Sequence, residues 1–310
     1  MNKLLAWLRI IRPPIVVISC IGALIGALNV SSYINDGIIK LSLFQISMII
    51  IGAAFLSAGL MIHNDVTDLK SDKVNRPHKP LPSGRIRTKT AQVTGLLLMI
   101  LSIFIALLIN INDNGPLNWK CGILTLSIVI VGVCYNHYGK YHGIFGHILV
   151  AYGVGAIPYW GAIAVAPEPK NLLLMLPLAF ALFIQEIGRE IMVNAGDFNG
   201  DLKAGYKTLP ILLGRKKAMY VALVFYLAFI PIFPISYFGW IGAEKVFGHI
   251  YLIGATIFVL SLLITWILTY RVVLQNDEKK IWRAFEKYER TGTRIMVIFF
   301  QIMLFLEAFY

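Results

Sequence analysis

Apolar residues run through this chain in nine blocks, with short polar stretches between them. The blocks cover roughly residues 13–33, 41–62, 90–110, 119–137, 144–166, 171–195, 216–239, 248–270 and 294–310. Most hold about 20 residues, enough for a helix to cross a hydrocarbon core. Pro158 falls inside the fifth block, and Pro231 and Pro234 inside the seventh. Within a membrane bundle, neighbouring helices can re-satisfy the carbonyls such prolines leave open. The pattern predicts an all-α integral membrane protein with nine transmembrane helices and a single domain over residues 1–310.

Composition supports this reading, with 58% hydrophobic and 14% charged residues against a soluble norm nearer half and a quarter. The net charge of +12 raises the possibility of a nucleic-acid partner. Its distribution removes that possibility. With a cytoplasmic amino terminus, nine crossings place 23 of the 28 Lys and Arg on the cytoplasmic side. Lys40, Lys120, Lys170 and Lys245 are left outside and Arg189 within a span. This is the positive-inside asymmetry, so the basicity follows from topology. The active-site loops are then cytoplasmic, the carboxyl terminus external, and the location a cell membrane. Nothing points to an obligatory protein partner.

The start reads as a retained first span. Its apolar run is long for a signal peptide. Cys20, Cys121 and Cys134 read as small buried hydrophobes, since about 19 Å of helix axis separates the last two. The three longest loops are 63–89, 196–215 and 271–293. The first two follow spans two and six and both begin with acids, which suggests a duplicated four-helix unit. The third has mixed charge, with Trp282 and Phe285 at helical spacing, and reads as an interfacial helix.

The chemistry is concentrated after span two, in "NDVTDLKSDKVNRPHKPLPSG". Asp65, Asp68 and Asp72 lie at i, i+3 and i+7, on one face of a continuing helix, with Asn64 one turn before Asp68. Three carboxylates in two turns repel by roughly 3 kcal/mol per pair at ~6 Å and an effective dielectric of ~20. A second stripe follows in "QEIGREIMVNAGDFNGDLKAGYKTLP". Measured from Glu186, Glu190, Asn194, Asp197 and Asp201 fall at about 40°, 80°, 20° and 60° on one helix face. Glu186, Arg189 and Glu190 sit within a span, where ionisable groups mark function or pair with one another. A plain Glu186–Arg189–Glu190 ion cluster is one reading, and solvated loop acids is the corresponding one for Asp197 and Asp201.

Two carboxylate clusters on one membrane side, followed by cations, suit Mg²⁺. This ion is held by a few carboxylates together with phosphate oxygens of a substrate. Asn64, Asp65, Asp68, Asp72, Asp197 and Asp201 are the expected metal residues. Arg76, Lys79 and Lys140 would grip the remaining phosphate or diphosphate oxygens. Zinc is a poorer choice, because the five-residue spacing of His137, His142 and His147 does not align them on one face. No P-loop or dinucleotide fingerprint is present.

At these residues the chain resembles the UbiA superfamily of intramembrane prenyltransferases. The resemblance rests on Arg12–Pro13, on N-D-x-x-D-x-x-x-D from Asn64 to Asp72, and on "NRPHKPLPSG". It rests also on Tyr135 and Lys140 around the loop after span four, and on Asp197 and Asp201 followed by "GYKTLP". It implies a bundle around a lipid-open central cavity, capped on the cytoplasmic side by the motif loops. It further implies an isoprenyl diphosphate donor, Mg²⁺, and attack of an acceptor on an allylic carbocation. Asp68, Asp72, Asp197 and Asp201 would then be catalytic, and Tyr135 would join the diphosphate-binding set. A twenty-carbon tail favours a hydrocarbon site by roughly 16 kcal/mol at ~0.8 kcal/mol per carbon, an upper bound.

Within the family the motifs are most similar to the archaeal ether-lipid branch. This implies geranylgeranyl diphosphate as donor and geranylgeranylglyceryl phosphate as lipid acceptor, with Arg189, Asn194, Lys203 and Lys207 as acceptor-binding residues. The chain departs from that branch at Val193 and Asn194, at Gly196 and at Gly146–His147. Prenylation of an aromatic quinone precursor or a tetrapyrrole is the alternative within the family. An ion-coupled transporter is the alternative of another class, although its acids would be expected nearer the midplane.

Overall fold

The computed structural model describes residues 3–113, 115–168, 171–239 and 245–310, without the side chains of Ser71, Val74, Asn75, Asp113 and Lys140. The described residues are all-helical. The long helices are α2 (Pro13–Ile34), α3 (Leu43–Thr67), α5 (Thr88–Leu108), α6 (Trp119–His137), α7 (Ile144–Val165), α8 (Leu176–Gly196), α11 (Arg215–Ile232) and α13 (His249–Val273). Shorter ones are α1 (Lys3–Ile11), α4 (Leu69–Asn75), α9 (Phe198–Ala204), α10 (Leu209–Leu213), α12 (Ile235–Phe238) and α14 (Glu278–Ala284). A π-helical stretch, Phe285–Thr293, carries α14 directly into α15 (Arg294–Glu307).

Among the described residues seven helices, not nine, are long and apolar enough to cross a membrane. They are α2, α3, α5, α6, α7, α11 extended through α12, and α13. The expected sixth span, α8, has 21 residues but carries Glu186, Arg189 and Glu190, and the expected ninth, α15, has only 14. Both nevertheless complete the bundle. Neighbour contacts run α2–α3–α5–α6–α7–α8–α11–α13–α15 and return to α2, closing a ring, while α2 also packs across it on α7.

Small residues set the closest approach. A Cβ on Gly26 would lie 1.8 Å from the carbonyl oxygen of Pro158, and one on Gly161 1.8 Å from that of Ala23. Side chains at these two positions would drive α2 and α7 apart, which is why small residues line close helix crossings in lipid. Side-chain-to-backbone bonds tie more distant segments. Asn29 Nδ2 donates to the Leu304 carbonyl at 2.9 Å, and Asn118 Nδ2 to that of Ile163 at 2.9 Å. Such polar groups are costly in hydrocarbon unless paired. Outward faces are apolar, as on α13, where Ile253, Ile257, Leu260, Ile264 and Ile267 form one exposed stripe. An apolar face of that extent is what lipid covers.

The segment read as an interfacial helix is more deeply engaged than its pattern suggests. Trp282 is exposed, but Phe285 is buried, packed where a Cβ on Gly196 would touch its ring at 3.0 Å. Glu289 is buried as well. The π-helical turn belongs to the bundle and faces the end of α8.

Candidate active site

The first acidic stripe forms as its spacing requires. The helix of α3 continues through Asp68, whose N–H donates to the Asn64 carbonyl at 3.0 Å, and the Asp72 N–H donates to the Asp68 carbonyl at 2.8 Å. Asp65 and Asp72 are 4% and 5% exposed. Their mutual repulsion is relieved by cations that fold back from both directions. Arg12 donates to Asp65 at 2.6 Å, and Lys79 Nζ lies 2.6 Å from Asp72 and 3.3 Å from Asp65. Lys79, expected on diphosphate, is thus the counter-ion of two stripe carboxylates. Arg12 adopts a left-handed backbone (φ 58°) between α1 and α2. That region is sparsely populated for a non-glycine residue, and such backbones cluster at functional sites. Asp68 accepts from Asn64 Nδ2 at 3.3 Å.

The second stripe spans the break between α8 and α9. Asp197 accepts a bond from Arg290, which also binds Glu286 at 2.6 Å. Asp201 accepts from the Thr208 hydroxyl at 3.2 Å. Burial, reinforced by the charge of Asp197, pushes the Asp201 carboxyl up to about 7, against the opposing charges of Arg76 and Arg290.

The two stripes meet. The Tyr206 hydroxyl donates to Asp68 at 3.4 Å, across 138 residues of sequence. The Tyr206 ring packs edge-on against Tyr141, and the Gly143 N–H donates to the Lys207 carbonyl at 2.8 Å. The loop after α6 and the loop after α9 therefore form one cap. Half-buried Tyr135 is placed so that the charges of Glu190, Asp68 and Asp201 all act on its hydroxyl.

Beneath this cap lies a cavity of about 380 Å³ walled by α2, α3, α6, α7 and α8. Arg12, Asn64, Tyr135, Glu186, Arg189 and Glu190 line it, and the rest of its wall, including Ala23, Ala53, Ile128 and Trp160, is mostly apolar, with Ser19, Ser57 and Asn136 interspersed. Trp160 is fixed by a 2.7 Å bond from Nε1 to the Thr125 hydroxyl. Arg189 forms the ion cluster that its spacing allows. Its Nε donates to Glu186 at 2.7 Å, and its NH2 group bonds Glu186 again and Glu190 at 2.7 Å. The ion cluster lines the cavity. Asn194 donates to His147 Nε2 at 2.9 Å, and His147 Nδ1 reaches the Gly143 carbonyl at 3.0 Å. These bonds fix the neutral tautomer with hydrogen on Nδ1.

Arg76, Lys203 and Lys207 are exposed at this end of the molecule. The Lys140 side chain lies outside the described residues. Sequence reasoning passed over three participants: Arg290, Tyr206 and the ion-pairing role of Arg12. The last two stand in quoted motifs, but nothing local signals that Arg290 reaches Asp197 across 93 residues.

Among the described residues no three His, Cys, Asp or Glu side chains converge into a self-sufficient ligand set. Zinc would take three or four protein ligands, whereas the acids of the two stripes suit Mg²⁺, which takes one or two carboxylates and completes its shell with water and phosphate oxygens.

Residues 16–297 match the UbiA prenyltransferase family. A digeranylgeranylglyceryl phosphate synthase of Methanococcus aeolicus is 31% identical over 97% of this chain and 98% of its own length. One from Thermococcus gammatolerans is 33% identical over 72% and 74%. A solved structure of digeranylgeranylglyceryl phosphate synthase superposes with a TM-score of 0.73 at 25% identity, covering 100% of this chain and 99% of that one. A UbiA homolog from Archaeoglobus fulgidus, solved bound to GPP and Mg²⁺, shares the fold with a TM-score of 0.69 at 17% identity, over 98% and 99%.

Proposed function

The chain belongs to the UbiA prenyltransferase family, and we propose that it transfers a geranylgeranyl group from its diphosphate to the hydroxyl of geranylgeranylglyceryl phosphate, with Mg²⁺ as cofactor. The observation that carries this reading is Tyr206, whose hydroxyl donates to Asp68 and whose N–H donates to the Asp201 carbonyl, linking the two acidic stripes close to Asn64 of the cavity lining. The relatives named digeranylgeranylglyceryl phosphate synthase support the choice of substrates.

Asp68, Asp72, Asp197 and Asp201, with Asn64 and Asp65, would hold the metal. Bound Mg²⁺ would supply charge neutralisation for the departing diphosphate. Arg76, Tyr135 and Lys140 would hold diphosphate oxygens, with Lys79 reaching them from its place on Asp65 and Asp72. The apolar wall from Ala23 to Trp160 takes the prenyl chain and keeps water from an allylic cation. Arg189, Asn194, Lys203 and Lys207 would receive the acceptor's phosphate end. We further propose that α8 and α15 also cross the membrane. This gives nine crossings around a lipid-open cavity, with the amino terminus and cap cytoplasmic and the carboxyl terminus external.

The test is an acceptor panel. Purified protein receives geranylgeranyl diphosphate, Mg²⁺ and one acceptor at a time, and diphosphate release is measured. Release that depends on geranylgeranylglyceryl phosphate is the expected result. Release only with an aromatic acid or a tetrapyrrole would defeat the acceptor assignment.

A further inference from the structure

Joining an allylic carbon to a hydroxyl oxygen releases a proton, and that proton needs a base near the reacting carbon. The carboxylates around the cavity mouth differ in what their oxygens already do. Asp65, Asp72 and Asp197 are ion-paired to Arg12, Lys79 and Arg290. Asp68 and Asp201 belong to the stripes assigned to the metal. Both oxygens of Glu186 are taken by the Arg189 guanidinium, one by Nε and one by NH2. Glu190 accepts from Arg189 through Oε1 alone, and its Oε2 takes no bond from the described residues. Its side chain is 14% exposed against 4% for Glu186, and it lines the cavity.

Position points the same way. Glu190 lies on the face of α8 that continues to Asp197 and Asp201, about 10 Å deeper along the axis than Asp197 at 1.5 Å per residue. It therefore sits below the level at which the stripes would hold a diphosphate. The negative charge of buried Glu289 also acts on Arg189, so three carboxylates surround one guanidinium.

We infer that Glu190 is a catalytic residue, the base that takes the proton of the acceptor hydroxyl. This rests on the ether-forming reading above. In the step, the bond between the prenyl carbon and the diphosphate oxygen breaks, and its electron pair leaves with diphosphate. A lone pair of the hydroxyl oxygen forms the new carbon–oxygen bond, and the oxygen's proton passes to Glu190 Oε2. The carboxyl later returns the proton to water.

Glu190→Gln separates this role from packing, because the amide carbonyl still accepts the Arg189 bond but takes no proton. Wild type, Glu190→Gln and Glu190→Asp are compared for ether formation with geranylgeranyl diphosphate, Mg²⁺ and geranylgeranylglyceryl phosphate. Expected for Glu190→Gln is a fall in kcat of about 100-fold or more, the usual size of a lost general base. KM for the donor should stay within about two-fold, as the donor is held elsewhere. Glu190→Asp keeps a carboxylate and should retain at least about a tenth of wild-type kcat, which also covers the case of a misfolded Gln variant. A Glu190→Gln kcat within about three-fold of wild type would overturn the inference and leave the departing diphosphate as the proton acceptor. So would an Asp variant as slow as the Gln variant. No ether from the wild type would overturn the ether reading and this inference together, whereas ether from wild type and Glu190→Gln alike sinks only the inference.

Discussion

Replacing Lys79 by methionine removes a charge that two buried carboxylates share while keeping most of the side chain's length. The ammonium lies 2.6 Å from Asp72 and 3.3 Å from Asp65, with the lysine side chain 17% exposed and the acids 7% and 5%. Breaking a buried pair from one side costs about 3–5 kcal/mol, because the remaining charge has lost its compensation. Asp65 keeps Arg12, so the orphaned group is Asp72 and the loss belongs near ~3 kcal/mol. The double variant Lys79→Met, Asp72→Asn removes both charges and should recover about 2 kcal/mol or more of that loss, as contacting pairs couple in a double-mutant cycle. Unfolding of the purified protein by SDS in mixed micelles, followed by tryptophan fluorescence, measures all four corners. A coupling below about 1 kcal/mol, the value of a solvated surface pair, would refute the argument. Lys79 would then be a cation held for ligand phosphate and not for its own acids.

Three further outcomes are expected. Asp201 has its carboxyl raised to about 7 by burial and by Asp197. If Asp201 holds Mg²⁺ as proposed, it does so ionised, so apparent Mg²⁺ affinity should weaken as pH falls below about 7, approaching ten-fold per unit, and Asp201→Asn should flatten that slope in a binding titration. Gly161→Ala places a Cβ 1.8 Å from the Ala23 carbonyl oxygen. It should cost about 1–3 kcal/mol and lower the thermal midpoint, whereas an unchanged midpoint would mean that α2 and α7 can separate freely. Trp160→Ala opens the apolar part of the cavity. It should shift donor preference toward longer prenyl chains in a competition assay, and an unaltered preference would remove Trp160 from chain-length selection.

Much of the bundle could be read from hydrophobic runs, because each long helix buries itself in lipid or against a neighbour and so writes its own length. The first stripe was equally legible, since i, i+3 and i+7 spacing puts Asp65, Asp68 and Asp72 on one face of any helix. Less legible was how that stripe is neutralised. Arg12 reaches Asp65 across 53 residues and Arg290 reaches Asp197 across 93. Pairings of that range depend on packing and leave no periodic trace. The segment from 271 to 293 misled for a related reason. Its mixed charges look solvated, yet the π-helical turn buries Glu289 and turns Arg290 toward the second stripe. The span count differed because α8 places three charges inside its length, where they line the cavity, and because α15 has only 14 residues.

The claim on which the rest depends is that both stripes together, with Mg²⁺, hold the donor's diphosphate. Equilibrium binding of radiolabelled geranylgeranyl diphosphate to the purified protein, with and without Mg²⁺, tests it most directly in wild type, Asp68→Ala and Asp201→Ala. The account predicts tight binding only with Mg²⁺ and only in wild type, each alanine variant weakening it about 100-fold or more through loss of a charged ligand. Tight binding without Mg²⁺, or binding undiminished in either variant, would contradict it.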